Sequence, residues 1–298
     1  MLGHTLRRVC SYAPRVGLSP KRNLLGRKPG ISALVRVRNE PWIVPSLLSL
    51  KNLADEIIVI DASTDETTED IRSLMRNGEL EIRYQYFKSD LMQMSQRALE
   101  LSSCEWILEW DGDFVGYTSG TRDVRGLRKL VLSLACSRYF FTIFKVINLD
   151  YDLFHIRRDV SYYVEKPYLF TYHPSLIYRL HSKLFWETLN FPLFFKGIDT
   201  NSTFAMHLRS VKPPRKYLER RYETAWTFMH AQGKYTGTLD DYVRERISAD
   251  LGTLDIEEAS KNFRAGLFQL VIPYNKERLG DYPDLLKEYA ERKMAIKL

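Results

Sequence analysis

Cysteine is scarce. Cys10, Cys104 and Cys136 are scattered through 298 residues with no C-x-x-C pair, which excludes a disulfide framework and points to a reducing compartment. Long apolar runs are missing too. The best, "LVLSLACSRYFFTIF" at 130–144, is short for a bilayer span and carries Arg138, so no integral membrane segment is expected. A glycine-rich phosphate loop is absent: residues 31–115 contain neither GxxxxGK[ST] nor GxGxxG, which excludes the backbone-amide cradle for phosphates.

Acidic residues are missing from the first thirty positions, which hold seven of the 44 Lys and Arg. Setting those seven aside leaves 37 basic against 37 acidic residues, so the net charge of +7 belongs to the leader. A nucleic-acid binder would carry its basic excess on the folded body, and no nucleic-acid partner is expected. The leader has no apolar h-region, which argues against a secretory signal. A transit peptide, a basic arm on anionic lipid and a disordered tail stay open, with a cytoplasmic location and peripheral membrane contact as the expectation. Apolar residues at 45% and charged residues at 27% suit an ordinary soluble fold with a sizeable core.

What is present is a regular alternation. "ISALVRV" (31–37), "EIIVIDA" (56–62), "LEIRYQYF" (80–87) and "EWILEW" (105–110) read as strands. Between them, 41–53, 63–77 and 90–101 read as helices. Three β-α units followed by a strand predict an α/β fold with a mostly parallel central sheet flanked by helices. Right-handed crossovers bring the strands' C-terminal ends to one edge, where such sheets bind ligands.

That edge gathers polar groups: Arg36, Arg38, Asn39 and Glu40 after the first strand, Asp61, Ser63, Thr64 and Asp65 after the second, Lys88 and Asp90 near the third, and Asp111 and Asp113 after the fourth. In "WILEWDGDFVG" (106–116) the two aspartates have no basic neighbour in sequence. At i and i+2 of an extended segment both carboxylates project to one side, and Gly112 lets a ligand approach the backbone. A divalent cation, Mg2+ or Mn2+, with a substrate diphosphate would complete such a site. Without metal the two carboxylates would repel, so removing one charge is expected to cost no stability.

"ALVRVRNE", "DEIIVIDASTDETTEDI" and "WILEWDGDF", in this order and spacing, resemble the nucleotide-sugar-binding half of family 2 glycosyltransferases, which have the GT-A fold. The resemblance covers 31 to about 115 well, 116–210 loosely and nothing beyond. It implies a nucleotide-diphospho-sugar donor, most often a UDP-sugar, and a saccharide or lipid-linked saccharide acceptor. On the donor side it implies that Asp61 accepts a hydrogen bond from the base, that Arg38, Asn39 and Glu40 shape the nucleoside pocket, and that Asp111 lies near the ribose or a metal-bound water. Arg97 would touch the donor's sugar or phosphate. Asp113 would ligate the metal, with Asp111 beside it, and His207, at the end of a late strand, would complete the site. The bland alternatives are a helix cap for Asn39, a first-turn carboxylate for Asp65, a solvated residue for Arg97 and a polar core histidine for His207.

Inverting transfer also needs a carboxylate to take the acceptor's proton. Glu187 in "LFWETLNF" and Asp199 in "FKGIDTNS" lie in the second half, as that role requires, and Glu187 is preferred on a faint likeness to a family segment. Residues 137–172 are crowded with Tyr and Phe and read as short antiparallel strands with aromatic packing. The expected organisation is a basic leader (1–30), a GT-A domain (31–212) split at 115 into donor and acceptor halves, and a helical C-terminal region (213–298). A sugar-nucleotide nucleotidyltransferase and a non-catalytic sugar-binding protein of the same fold are the alternatives.

Overall fold

The computed structural model describes residues 21–23, 26–134, 138–158, 163–180 and 187–298, the side chains of 163–167, 180, 187 and 231 excepted. Strand β1 (Lys28–Val37) lies between β2 (Glu56–Asp61) and β4 (Cys104–Asp111), parallel to both, and β3 (Ile82–Tyr86) extends the parallel set beyond β2. Helices α1 (Ile43–Leu48), α2 (Thr67–Arg76) and α3 (Leu91–Leu101) make the crossovers. Beyond β4 the sheet continues through β8 (Tyr163–Thr171), β6 (Phe140–Asn148), β11 (Lys196–His207) and β5 (Phe114–Gly116), giving the order β3-β2-β1-β4-β8-β6-β11-β5. Only β8 and β5 run against the others. This is the mixed α/β architecture expected from the sequence: a mostly parallel sheet flanked by helices, with antiparallel pairings in its second half.

Alternation along the strands feeds two cores. In β2, Ile57 and Val59 join the layer under α1, α2 and α4 (Val124–Leu132), while Ile58 and Ile60 join the layer under α3. Trp106 and Trp110 are about 1% exposed in the first layer, each contributing roughly 1.5–3 kcal/mol by burial, the scale of a large apolar side chain. The Trp110 indole N–H donates to Ser46 Oγ at 3.1 Å, so burial strands no donor.

Element boundaries depart from expectation where side chains compete for backbone donors. The second helix begins at Thr67, not 63, because Asp61 Oδ1 accepts from Ser63 N and Asp65 Oδ1 from Thr67 N. Residues 21–23 and 26–30 are not a free leader. Arg22 pairs with Glu105 at 2.7 Å, Arg27 donates to Cys104 O at 2.6 Å, and β1 starts at Lys28. The remainder of the expected leader, 1–20 and 24–25, lies outside the described residues.

After β11 come α5 (Pro214–Ala231), α6 (Leu239–Leu251), α7 (Ile256–Phe268), β12 (Val271–Pro273), α8 (Lys276–Leu279) and α9 (Asp284–Met294). Helices α5 to α7 share a small core around Leu218, Tyr222 and Ile247. Helix α9 instead puts Leu286 and Ala290 into a core with Trp42, Val115 and Met206, and Tyr289 donates to Pro41 O at 2.9 Å. The C-terminal region therefore shares apolar packing with the sheet. Strand β12 pairs with β7 (His155–Arg157), and β9 (Tyr178–Leu180) pairs with β10 (Glu187–Leu189). Among the described residues no helix is long and apolar enough to cross a membrane.

Candidate functional site

Register brings the polar strand ends level. Val37 stands beside Asp61, Arg36 beside Asp111, and His207 beside both Asn148 and Phe114. Asp113 follows β4 directly, and its carbonyl accepts from Leu208 N at 2.9 Å. The end of β4 and the end of β11 are thus tied together at the edge where ligands of such sheets bind.

Asp113 and His207 meet there. Nε2 of His207 stands 3.3 Å from Asp113 Oδ1, and both side chains are largely buried. The ring is braced edge-on against Phe114 at 4.7 Å, and its Nδ1 lies 2.8 Å from Asn148 Oδ1. With Nδ1–H donating to that oxygen, the Nε2 lone pair is left for Asp113. Two acceptor atoms face each other in this arrangement, a geometry completed by a proton or a metal cation. These two residues therefore fit as ligands of a hard or borderline dication.

The other oxygen of Asp113 faces a cation from the chain itself. Lys212 Nζ is 3.1 Å from Asp113 Oδ2 and also bonds Glu40 Oε2, with the lysine side chain only 8% exposed. Burial works to raise the Asp113 carboxyl, but Lys212 and His207 outweigh it and hold it well below the usual range. Burial, reinforced by the charge of Asp113, pushes Glu40 the other way, up to about 7, because two acids share one ammonium. Burial disfavours the Lys212 charge, yet Asp113 and Glu40 more than offset it and raise the lysine.

Asp111 has a cation partner of its own. Its Oδ1 takes Arg36 Nη2 at 2.8 Å, while Arg36 Nη1 donates to Ser95 Oγ at 2.9 Å. Each of the two carboxylates expected at one metal thus has a cation of the chain as a partner. A Cβ on Gly112 would meet Arg36 O, Ile43 Cδ1 and Val37 Cγ2, each at 3.4 Å, an ordinary contact distance, so packing alone does not demand glycine there. Among the described residues no group of three or more His, Cys, Asp or Glu gathers around a single point. Any dication at Asp113 and His207 would take its remaining ligands from water or substrate.

The remaining predicted residues divide. Asn39 adopts φ 53°, a left-handed geometry that Asn tolerates better than most residues. Its Oδ1 accepts from Thr64 N at 2.8 Å and its N–H donates to Ser63 Oγ at 2.9 Å, so it ties the first two strand ends rather than capping α1. Arg38 donates to Ser89 O at 2.6 Å and pairs with Glu223 of α5. Asp65 pairs with Lys216 of the same helix at 2.6 Å. Asp61 is wholly buried and accepts from Ser63 N, Thr68 Oγ1 and Tyr84 Oη at 2.7, 2.6 and 2.8 Å. These bonds fill three of the roughly four acceptor positions of a carboxylate, one on Oδ1 and two on Oδ2. Arg97 has Gln85 at 3.0 Å and Glu100 at 3.5 Å as partners.

Of the two carboxylates expected as proton acceptor, Asp199 is exposed on β11 and closes a local turn to Asn201 N at 2.8 Å. It lies eight positions before His207, roughly 26 Å along an extended strand, which removes it from the site. The Glu187 side chain lies outside the described residues, but its backbone pairs with Leu180. Two residues earlier on the same ribbon, Tyr178 Oη donates to Glu109 Oε1 at 2.5 Å, beside Asp111 on β4.

Sequence reasoning assigned no role to Arg36, Lys212 or Asn148. A basic residue inside the apolar run "ALVRV" signals a buried partner. Lys212 and Asn148 carry no comparable local signal.

The chain matches no protein-family model, and no curated protein matches it. Among solved structures it is similar to residues 1–349 of S. aureus TarS in complex with UDP-GlcNAc, at 13% identity and a TM-score of 0.41, over 88% of this chain and 80% of that one. It is also similar to the mannosyltransferase PcManGT from Pyrobaculum calidifontis in complex with GDP-Man and Mn2+, at 10% identity and a TM-score of 0.39, over 98% of this chain and 96% of that one.

Proposed function

We propose that the chain is an inverting glycosyltransferase that moves a sugar from a nucleotide-diphospho-sugar, a UDP-sugar by preference, to a saccharide or lipid-linked saccharide acceptor. The observation that carries this reading is the meeting of Asp113 and His207 at 3.3 Å on the ligand-binding edge of a mostly parallel sheet. Glu40 of "ALVRVRNE" shares Lys212 with Asp113, and Asp61 of "DEIIVIDASTDETTEDI" ends a strand parallel to the same β1. Asp113 and His207 would hold a divalent cation, Mn2+ or Mg2+, whose contribution is to offset charge on the leaving diphosphate.

The chain's own residues prepare the site. Asn39 and Ser63 fix the loops that frame a nucleoside, Arg36 fixes Asp111, and Asn148 and Phe114 fix His207. Glu187 is the carboxylate we assign to take the acceptor's proton. Its ribbon reaches the Asp111 end of β4 through Tyr178 and Glu109.

One observation favours a non-catalytic protein of this fold. Asp65, Asp111, Asp113 and Glu40 each already pair with a cation of the chain. Thermal-shift screening against UDP-, GDP-, dTDP- and CMP-sugars with Mn2+, followed by donor-hydrolysis assays with and without the metal, separates the two. A donor that raises the midpoint and is hydrolysed supports the enzyme; binding without turnover of donor, alone or with any acceptor, supports the binding protein.

A further inference from the structure

The cation at Asp113 is unusual in its placement. Lys212 follows β11, and its ammonium reaches the one carboxylate that also faces His207. It is almost fully buried and held from its other side by Glu40, itself anchored by Thr67 Oγ1 on its backbone N–H at 2.8 Å. Lys212 thus occupies one oxygen of Asp113 and cancels one of the two carboxylate charges in the pocket. Asp111 is likewise balanced by Arg36. A dication arriving alone would meet a positive neighbour 3.1 Å from its principal ligand, which weakens its attraction to the remaining negative charge. A diphosphate arriving with the metal changes that balance, because it offers the ammonium new oxygens.

We propose that Lys212 holds Asp113 against free dication and transfers to the diphosphate of the donor, so that metal loading waits for donor. The inference rests on the donor reading above and adds a positioning residue to it. Lysine suits this task better than arginine. Its compact charge on a flexible stem can exchange partners without breaking a bidentate fork. Glu40 gives the stem an anchor at the pocket, so the exchange needs only a short movement of the ammonium.

The test uses the full chain without nucleotide. Free Mn2+ is titrated by electron paramagnetic resonance against the parent and Lys212→Met, with circular dichroism to confirm folding. Glu40→Gln/Lys212→Met, which removes one charge of each sign, serves if the single variant fails to fold. The expected result is at least tenfold tighter Mn2+ binding in the lysine variant, abolished by adding Asp113→Asn. Calorimetry with UDP and GDP in EDTA should show at least tenfold weaker binding to the same variant. Equal Mn2+ affinity in parent and variant, or undiminished nucleotide affinity in a folded variant, overturns the proposal. If the parent binds no nucleoside diphosphate with or without Mn2+, the donor reading falls and the hand-over with it, while the Mn2+ comparison still decides whether Lys212 guards Asp113.

Discussion

Arg36 Nη2 lies 2.8 Å from Asp111 Oδ1, across the parallel pairing of β1 and β4 that sets the two residues side by side. Burial disfavours the guanidinium charge, and Asp111 and then Glu109 outweigh it and raise Arg36 above its ordinary value. The first aspartate of the D-G-D run is therefore one half of a partly buried ion pair.

Breaking that pair from one side should be costly. Asp111→Leu takes this carboxylate from the guanidinium and is expected to lose about 1–3 kcal/mol of stability, below the range for a fully buried orphaned charge because the pair is partly exposed. Arg36→Met/Asp111→Leu should regain at least half of the loss. Urea denaturation of both variants checks this; equal loss in the single and double variants would show that the two residues are not coupled.

Glu40 makes a pH signature. Its folded value, about 7, lies above its ordinary value of 4.5, so between these the native state holds a proton that the unfolded chain has released. Stability from this group is fully present below pH 4.5 and is lost as pH rises through 7. The groups facing it are Lys212, Asp113 and Tyr289; of these only Glu40 changes charge in that window. Glu40→Gln should flatten the decline between pH 5 and 8 in denaturation curves, and an unchanged slope would assign the decline to other groups.

The four parallel strands were legible because each is a compact run of β-branched and aromatic residues, as in "EIIVID" of β2. The edge was legible for the same reason, since crossover handedness fixes where strands end. Asp113 and His207, expected together from the family resemblance, do stand together. What stayed hidden was the compensation of charge. Arg36 and Asp111 are 75 positions apart, and Lys212 and Asp113 are 99 apart, and no local period encodes such pairings. A search of "EWDGDFVG" for a basic neighbour therefore failed although the fold supplies two. The leader was read too long for a related reason. Arg22 and Arg27 look like solvated charge in sequence, yet Arg22 pairs with Glu105 and Arg27 lies 3.6 Å from the Tyr172 ring centroid.

Asp61 and Tyr84 offer a spectroscopic test. The phenol is pushed up to about 12, first by burial and then by its hydrogen bond to Asp61. Asp61→Asn should lower the midpoint of tyrosinate absorbance for that ring, with Tyr84→Phe as the assignment control. Asp61→Ala should cost roughly 1–3 kcal/mol, the penalty for stranding donors aimed at a buried acceptor. If the folded variant also loses nucleotide affinity, Asp61 reads the base as well; unchanged affinity confines it to the turn.

Asp113→Asn separates structure from metal chemistry most directly. From the sequence alone, relief of repulsion between Asp111 and Asp113 should leave the variant no less stable. The structure reverses that sign, because Asp113 is paired with Lys212 and His207 and its carboxyl is held well below the usual range. A depressed carboxylate contributes stability above its ordinary value of 3.8, lost only as pH falls through the lower folded value. At pH 7 the contribution is complete, so the variant should be about 1.5–3 kcal/mol less stable, the range for a hydrogen bond to a charged group. The same change removes the charged ligand of the proposed dication, since a neutral amide binds hard cations poorly. Melting curves of parent and variant, each alone and with UDP plus Mn2+, read both effects together. The expected pattern is a lower midpoint without ligand and loss of the Mn2+-dependent increment over UDP alone. A variant that melts lower yet keeps the full increment would make Asp113 a structural partner of Lys212 and remove it from the metal site.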